Sequence, residues 1–265
     1  MNLQRFRTAI RHLDRLPEVL TCLGTMRQGP SIAASYVGLA PLRLPRTVRL
    51  RNGTSYHLQE YTDLETLWQI YFHRVYPLRA ADRVIVDAGA NVGLFACWAA
   101  ARNPGAQIYA VEPSPDNAAR LLDHVRRNGV ADRVHLFQYA LSPADRAVWL
   151  ADNPNGGQMR HVTSGRAGGG FRVPALSMPD LLARIADERI DFVKMDIEGS
   201  EYDVLMGAGA EPLARVGRIS LEYHQPPPGC PHDKAALIRH LRACGFTSIR
   251  DDGGAAAYGM VHAWR

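Results

Sequence analysis

The 265-residue chain predicts an α/β, Rossmann-like fold: a doubly wound, mostly parallel sheet of seven strands with an antiparallel last strand, preceded by an N-terminal helical and hairpin extension. Two observations carry most of this. From Val84 onward, short β-branched runs alternate with helix-length segments, the rhythm of a parallel sheet covered on both faces. At the far end, strand-like runs at 247–250 and 257–263 flank Asp251-Asp252-Gly253-Gly254, which predicts a hairpin and so an antiparallel closing strand. The chain then divides into an extension, 1–47, and one large domain, 48–265, in which 48–80 form a hairpin and cover helix and 81–265 the core. With 46% hydrophobic residues, a domain of that length can bury a substantial core.

Taken in order, Leu3, Phe6, Ile10, Leu13 and Leu16 recur at helical intervals among Arg5, Arg7, Arg11 and Arg15. They predict a basic amphipathic helix, suited to packing on the domain or on a second copy of it as a homodimer, or to lying peripherally on an anionic membrane surface. Gly29-Pro30, Pro41 and Pro45 break 24–45 into short helices or coil. Val48 to Leu50 and Tyr56 to Leu58 flank Arg51-Asn52-Gly53, a hairpin signal. A helix over 63–76 follows, with Asp63 placed to cap it and Leu64, Leu67, Trp68, Tyr71 and Phe72 at helical spacing.

Val84-Ile85-Val86 reads as a strand buried on both faces, running into Asp87-Ala88-Gly89-Ala90-Asn91-Val92-Gly93 and then an Ala-rich helix over 92–102. Gly89 and Gly93 let the backbone turn sharply and approach a ligand. Glu112, about twenty residues on at the end of the next strand, is placed to accept both hydroxyls of a ribose. A dinucleotide turn would have glycine where this chain has Asn91 and Leu94, so a pyrophosphate, and with it a nicotinamide oxidoreductase, is disfavoured. S-adenosylmethionine, with a ribose, an amino-acid head and a sulfonium but no phosphate, suits the turn better.

Strand and helix signals continue at 107–111, 115–128 and 133–139, with a further extended run at 147–150. Residues 152–170 then hold more glycine and polarity than a connector needs, which reads either as disorder or as a lid bringing Gln158, Arg160 and His161 to a substrate. After a helix over 178–187, Phe192-Val193-Lys194-Met195-Asp196-Ile197-Glu198-Gly199 forms a second informative stretch. Alternation places Lys194, Asp196 and Glu198 on one side and Val193, Met195 and Ile197 on the other, at the sheet edge where such folds bind ligands. Otherwise Lys194 and Asp196 only anchor the next helix, 199–208, capped by Gly199 or Ser200. His224 ends the strand 216–223 at the same edge, and its near-neutral titration suits a proton acceptor. A helix over 234–244 precedes the closing hairpin.

Net charge is +5, concentrated at the front, yet no aromatic-plus-basic repeat accompanies it, and nucleic acid is not expected as a partner. Cys22, Cys97, Cys230 and Cys244 form no C-x-x-C pair and read as reduced thiols of a cytoplasmic protein, and Cys230-Pro231-His232 as an incidental pair of metal-ligand types. No apolar run approaches membrane-helix length.

The set Asp87-Ala88-Gly89-Ala90-Asn91-Val92-Gly93, Val111-Glu112-Pro113 with Asn117, Ala140-Leu141-Ser142, Val193 to Glu201 and Leu221-Glu222-Tyr223-His224 resembles the FkbM family of S-adenosylmethionine-dependent methyltransferases, from about residue 48 to the C-terminus. The resemblance implies a class I methyltransferase fold and O-methyl transfer to a sugar, glycan, glycolipid or polyketide-like product. It implies that Gly89, Ala90 and Gly93 wrap the methionine part, that Glu112 holds the ribose, and that Tyr139, Ala140 and Leu141 line the adenine. Asp87, Asn91, Asn117 and Asp196 complete the cofactor set. His224 is the first choice of base, with Asp196 and Glu198 as alternatives and Lys194 beside them; the acids could equally bind acceptor hydroxyls or hold a divalent cation. A nucleic-acid methyltransferase would share the cofactor, but Asp196-Ile197-Glu198-Gly199 stands where such enzymes carry an Asn/Asp-Pro-Pro-aromatic turn, and its acids would repel phosphates.

Overall fold

A computed structural model of the chain describes residues 16–143, 146–151, 161–163, 170–224, 232–253 and 258–265. The basic segment 1–15, Gln158, Arg160 and Cys230 lie outside the described residues. The chain divides into two units, Met1–Val75 and Tyr76–Arg265.

In the first unit, α1 (Leu16–Thr25) and α2 (Gly29–Tyr36) precede the antiparallel hairpin of β1 (Arg46–Arg49) and β2 (Ser55–Leu58), as the Asn-Gly signal predicts. The next helix, α3 (Tyr61–Trp68), starts two residues before the expected Asp63. Asp63 is not its cap: an acid at the third helical position reaches back, and this carboxylate accepts the backbone N–H of Gln59 at 2.7 Å and Glu60 at 3.1 Å. The helix loosens into a π turn over Gln69–His73. Glu18 on α1 ties the helices together, accepting from Trp68 Nε1 at 2.6 Å and from the Tyr36 hydroxyl at 3.0 Å.

The second unit is built on β3 (Val84–Ala88), β4 (Gln107–Val111), β5 (Val134–Phe137), β10 (Phe192–Met195), β11 (Arg218–His224), β12 (Ser248–Asp251) and β13 (Tyr258–Trp264). Their order is β12-β13-β11-β10-β3-β4-β5, with β13 antiparallel to both its neighbours and the pairs from β11 through β5 parallel. This is the expected class I methyltransferase sheet. On one face, Val86, Ala88, Val193, Met195, Ile219 and Leu221 are buried under α6 (Met178–Ala183), α7 (Glu201–Met206) and α9 (Lys234–Ala243), which contribute Leu181, Leu205 and Leu237 to the same core. A short α8 (Ala210–Leu213) leads into β11.

The chain runs outward from β3 through α4 (Leu94–Arg102) to β4, then through α5 (Pro115–Arg127) to β5, and later returns to the other side of β3 at β10. Between β3 and β10 the winding direction reverses, and a crevice opens at the carboxyl ends of the strands there.

Within 140–176, expected to hold one extended run and a long loop, the described residues include a second sheet of β6 (Ala140–Leu141), β7 (Ala147–Ala151), β8 (His161–Thr163) and β9 (Phe171–Leu176) in the order β6-β9-β7-β8. His161 therefore stands in a strand opposite Ala151. Ala140, Val148, Leu150, Val173 and Ala175 give this sheet its own small core.

Candidate active site

Two loops make the site. After β3, Gly89 takes φ +78° and its N–H bonds the carbonyl of Val111 on β4 at 3.1 Å. A Cβ on Gly89 would sit 1.7 Å from the carbonyl oxygen of Asp196, so glycine is required by the loop from β10 crossing over it. Gly93 serves differently: it caps α4 at φ +81°, and a Cβ there would meet Leu121 of α5 at 2.7 Å. After β10, Glu198 and Gly199 follow each other at φ +54° and +97°. Strand alternation stops at Met195, so Ile197, expected on the far side from Asp196 and Glu198, lines the same cavity as both.

That cavity, about 610 Å³, opens at the reversal point between β3 and β10. Of the sequence-predicted site residues, Gly89, Asn91, Glu112, Asn117, Tyr139, Ala140, Asp196 and Glu198 line it. Asp87, Ala90, Gly93, Lys194 and His224 do not, and stand behind or beside it. Leu141 lines it too, as do Val111 and Pro113 of the Val111-Glu112-Pro113 motif, and Leu150, which carried no sequence signal for the site. Leu150 arrives from β7, so the inserted sheet supplies one wall.

Glu112 is buried at the β4 end, accepting the backbone N–H of Asn91 and Ser114, each at 2.8 Å, and the amide of Asn117 at 3.4 Å. Burial outweighs these bonds and raises its carboxyl to about 7. Asn91 is left-handed at φ +49°, and its side-chain oxygen is buried with no hydrogen-bond partner among the described residues. A buried acceptor left open inside a cavity points to a ligand that donates to it.

Behind the turn, Lys194 and Asp87 form a buried ion pair at 3.0 Å, and Lys194 Nζ also donates to the Gly89 carbonyl at 2.7 Å. Burial opposes the charge on Lys194, but Asp87 and Asp196 outweigh it and hold its pKa above the ordinary lysine value. Lys194 thereby fixes the turn from below and pairs with Asp87 rather than Asp196.

On the other flank, His224 Nδ1 lies 3.1 Å from Glu201 Oε1 and Nε2 lies 3.7 Å from Glu198 Oε2. Burial works against charging His224, but the hydrogen bond to Glu201 and the charges of Glu201, Glu198 and Asp196 raise it to about 9. Burial and neighbouring acids raise Asp196, Glu198 and Glu222, the last to about 7. Asp196, Glu201 and His224 offer ligand atoms within 4.8 Å of one another, a spacing that a cation could bridge. Glu201 already accepts from the backbone N–H groups of Ile197 and Gly199 as well as facing His224, chiefly through Oε1.

Comparison with known proteins accords with this geometry. The chain is similar to the AMB antimetabolite synthetase AmbE of Pseudomonas aeruginosa, 30% identical over 64% of this chain and 10% of the relative. It is also similar to the 2-O-methyltransferase NoeI of Sinorhizobium fredii, 31% identical over 55% of this chain and 65% of the relative. To the 31-O-demethyl-FK506 methyltransferase FkbM of Streptomyces tacrolimicus it is 26% identical over 82% of this chain and 94% of the relative. The chain thus spans a tenth of AmbE and just under two thirds of NoeI. The profile of the methyltransferase FkbM domain matches residues 87–248, a span that holds the glycine turn, Glu112, the Lys194-to-Glu201 run and His224, and the chain belongs to the FkbM methyltransferase family.

Proposed function

We propose that this chain transfers a methyl group from S-adenosylmethionine to a hydroxyl of a sugar, glycan, glycolipid or polyketide-like product. One observation carries the choice of cofactor. Among the described residues, three carboxylates (Glu112, Asp196, Glu198) and no lysine, arginine or histidine line the cavity. Such a lining repels a pyrophosphate and favours a ligand bearing a sulfonium and an ammonium. The residues fit that ligand: Glu112 sits where a ribose diol would be held, Tyr139, Ala140 and Leu141 form a wall for an adenine, and the open oxygen of Asn91 faces the amino-acid side.

When bound, S-adenosylmethionine supplies an electrophilic methyl group whose sulfur is ready to leave. The protein therefore has to orient an acceptor oxygen and take its proton. His224 is the proton acceptor, with Nε2 beside Glu198, which lines the cavity. Its pKa lies at about 9 rather than near neutral as expected, so the accepting form is the neutral fraction that grows as pH rises towards that value. Glu198 and Asp196 are placed to hold neighbouring hydroxyls. Similarity to the 2-O-methyltransferase NoeI and the 31-O-demethyl-FK506 methyltransferase FkbM supports a hydroxyl acceptor here. The acidic rim disfavours nucleic acid as that acceptor. Buried free thiols at Cys22, Cys97 and Cys244 suit a cytoplasmic setting.

The test is to incubate the purified chain with labelled S-adenosylmethionine and extracts fractionated into lipid-linked glycans, nucleotide sugars and small metabolites. Label should enter one of these fractions; label only in RNA or protein would overturn the acceptor class. His224→Ala should keep cofactor affinity and lose about 100-fold in turnover. Full turnover in that variant would refute the base assignment.

A further inference from the structure

Glu201 is fully buried at the first turn of α7, and every bond it makes has a direction. Its Oε1 accepts from the backbone N–H of Ile197 at 3.0 Å, and both oxygens accept from that of Gly199, at 3.2 and 3.0 Å. The side chain of Ser200, the N-cap residue, makes no capping bond, so this carboxylate does the cap's work for the loop. Held in this way it cannot swing, and its Oε1 meets Nδ1 of His224 at 3.1 Å.

An ionised carboxylate accepts and never donates, so the ring proton in that bond belongs to Nδ1. Nε2 is then the nitrogen with a free lone pair once the ring is neutral. Its nearest acid, Glu198 Oε2, is 3.7 Å away, beyond hydrogen-bond reach, and both side chains are partly open to solvent. A hydroxyl seated to one side of the line joining them can reach both.

We propose that Glu201 is the positioning residue for His224, locking the imidazole in the Nδ1–H tautomer and presenting Nε2 to the acceptor hydroxyl in the space beside Glu198. This rests on the methyl-transfer reading above. In the step, the acceptor O–H bond breaks towards Nε2, the oxygen's pair forms the new C–O bond, and the C–S pair remains on sulfur as a thioether. The imidazolium that results is stabilised by the Glu201 carboxylate bonded to its Nδ1–H. The charged groups facing His224 are Glu201 from α7, Asp196 and Glu198 from the loop after β10, and Glu222 from its own strand, with Lys194 beyond Asp196. Glu201 alone among these acids touches the ring through a hydrogen bond.

Imidazole-nitrogen NMR on the full chain tests this without any substrate. The unaltered protein should show a protected Nδ1–H resonance for His224 and a titration midpoint above that of free histidine. In Glu201→Gln the midpoint should fall by about one unit or more, the rising limb of the kcat–pH profile should move to lower pH with it, and the kcat plateau above that limb should drop at least about tenfold with the cofactor KM little changed. Glu201→Asp should recover part of the loss, and the double variant with His224→Ala should lose no more than His224→Ala alone. Should Glu201→Gln fail to fold, the resonance in the unaltered protein decides: an unprotonated Nδ1 overturns the proposal. Turnover that falls with no movement of midpoint or pH limb overturns the role alone. A chain that methylates no hydroxyl at all overturns the reading it rests on, and the role with it.

Discussion

Lys194 and Asp87 are each almost wholly buried and face each other at 3.0 Å with the glycine turn resting on the lysine. Two charges in such a place are tolerable only together, because removing one strands the other in a low dielectric. Lys194→Met should cost about 3–5 kcal/mol in urea unfolding, and adding Asp87→Asn should recover a large part of it; equal stability of the single variant and the parent would contradict the pairing. At this scale the sequence was informative about which residue types gather and less so about their partners. Lys194, Asp196 and Glu198 do gather at one sheet edge, but the lysine turns inward to Asp87, since strand pairing sets Lys194 beside Asp87 in register. Glu201 stood in the same run with no role assigned, because what it does depends on two left-handed residues, Glu198 and Gly199, that turn the loop so that the N–H groups of Ile197 and Gly199 meet it. Glycine foretells such a turn; glutamate does not.

The loop between β10 and α7 shows what an element of five residues can store. Glu198 at φ +54° adopts a conformation that costs a side-chain-bearing residue about 1–2 kcal/mol. Asn91 at φ +49° is in the same condition across the cavity. Glu198→Gly should leave stability within about 1 kcal/mol of the parent or above it, as relief of strain offsets added chain entropy, while turnover falls; a variant both less stable by more than this and fully active would contradict a functional cause for the strain. Strands β3 and β4 have the bounds their β-branched runs announce, residue for residue. The inserted sheet was hidden. Phe171-Arg172-Val173-Pro174-Ala175-Leu176 contains a proline, which normally demotes a strand, but Pro174 lies opposite Ala147 at the end of the β7 ladder, where no donor is missed. Leu150 was hidden with it, since its place at the cavity comes from that sheet's packing.

For the whole molecule, winding outward from β3 in one direction and then from β10 in the other brings two loops, more than a hundred residues apart in sequence, against each other. The contact is tight enough that Gly89 can carry no side chain beneath Asp196. Topology thus sets the buried acid Glu112 and the acids of the second loop, Asp196 and Glu198, around one crevice, with the Glu201–His224 pair beside it. Among the described residues no helix is long and apolar enough to cross a membrane. The central claim is that this acidic crevice holds S-adenosylmethionine through Glu112. Calorimetry with the purified chain tests it most directly: the cofactor should bind one-to-one, at least about tenfold more weakly to Glu112→Gln, in keeping with the loss of a charged hydrogen-bond acceptor, while a nicotinamide dinucleotide should give no heat. Absence of binding by S-adenosylmethionine, or equal affinity in the variant, would contradict it.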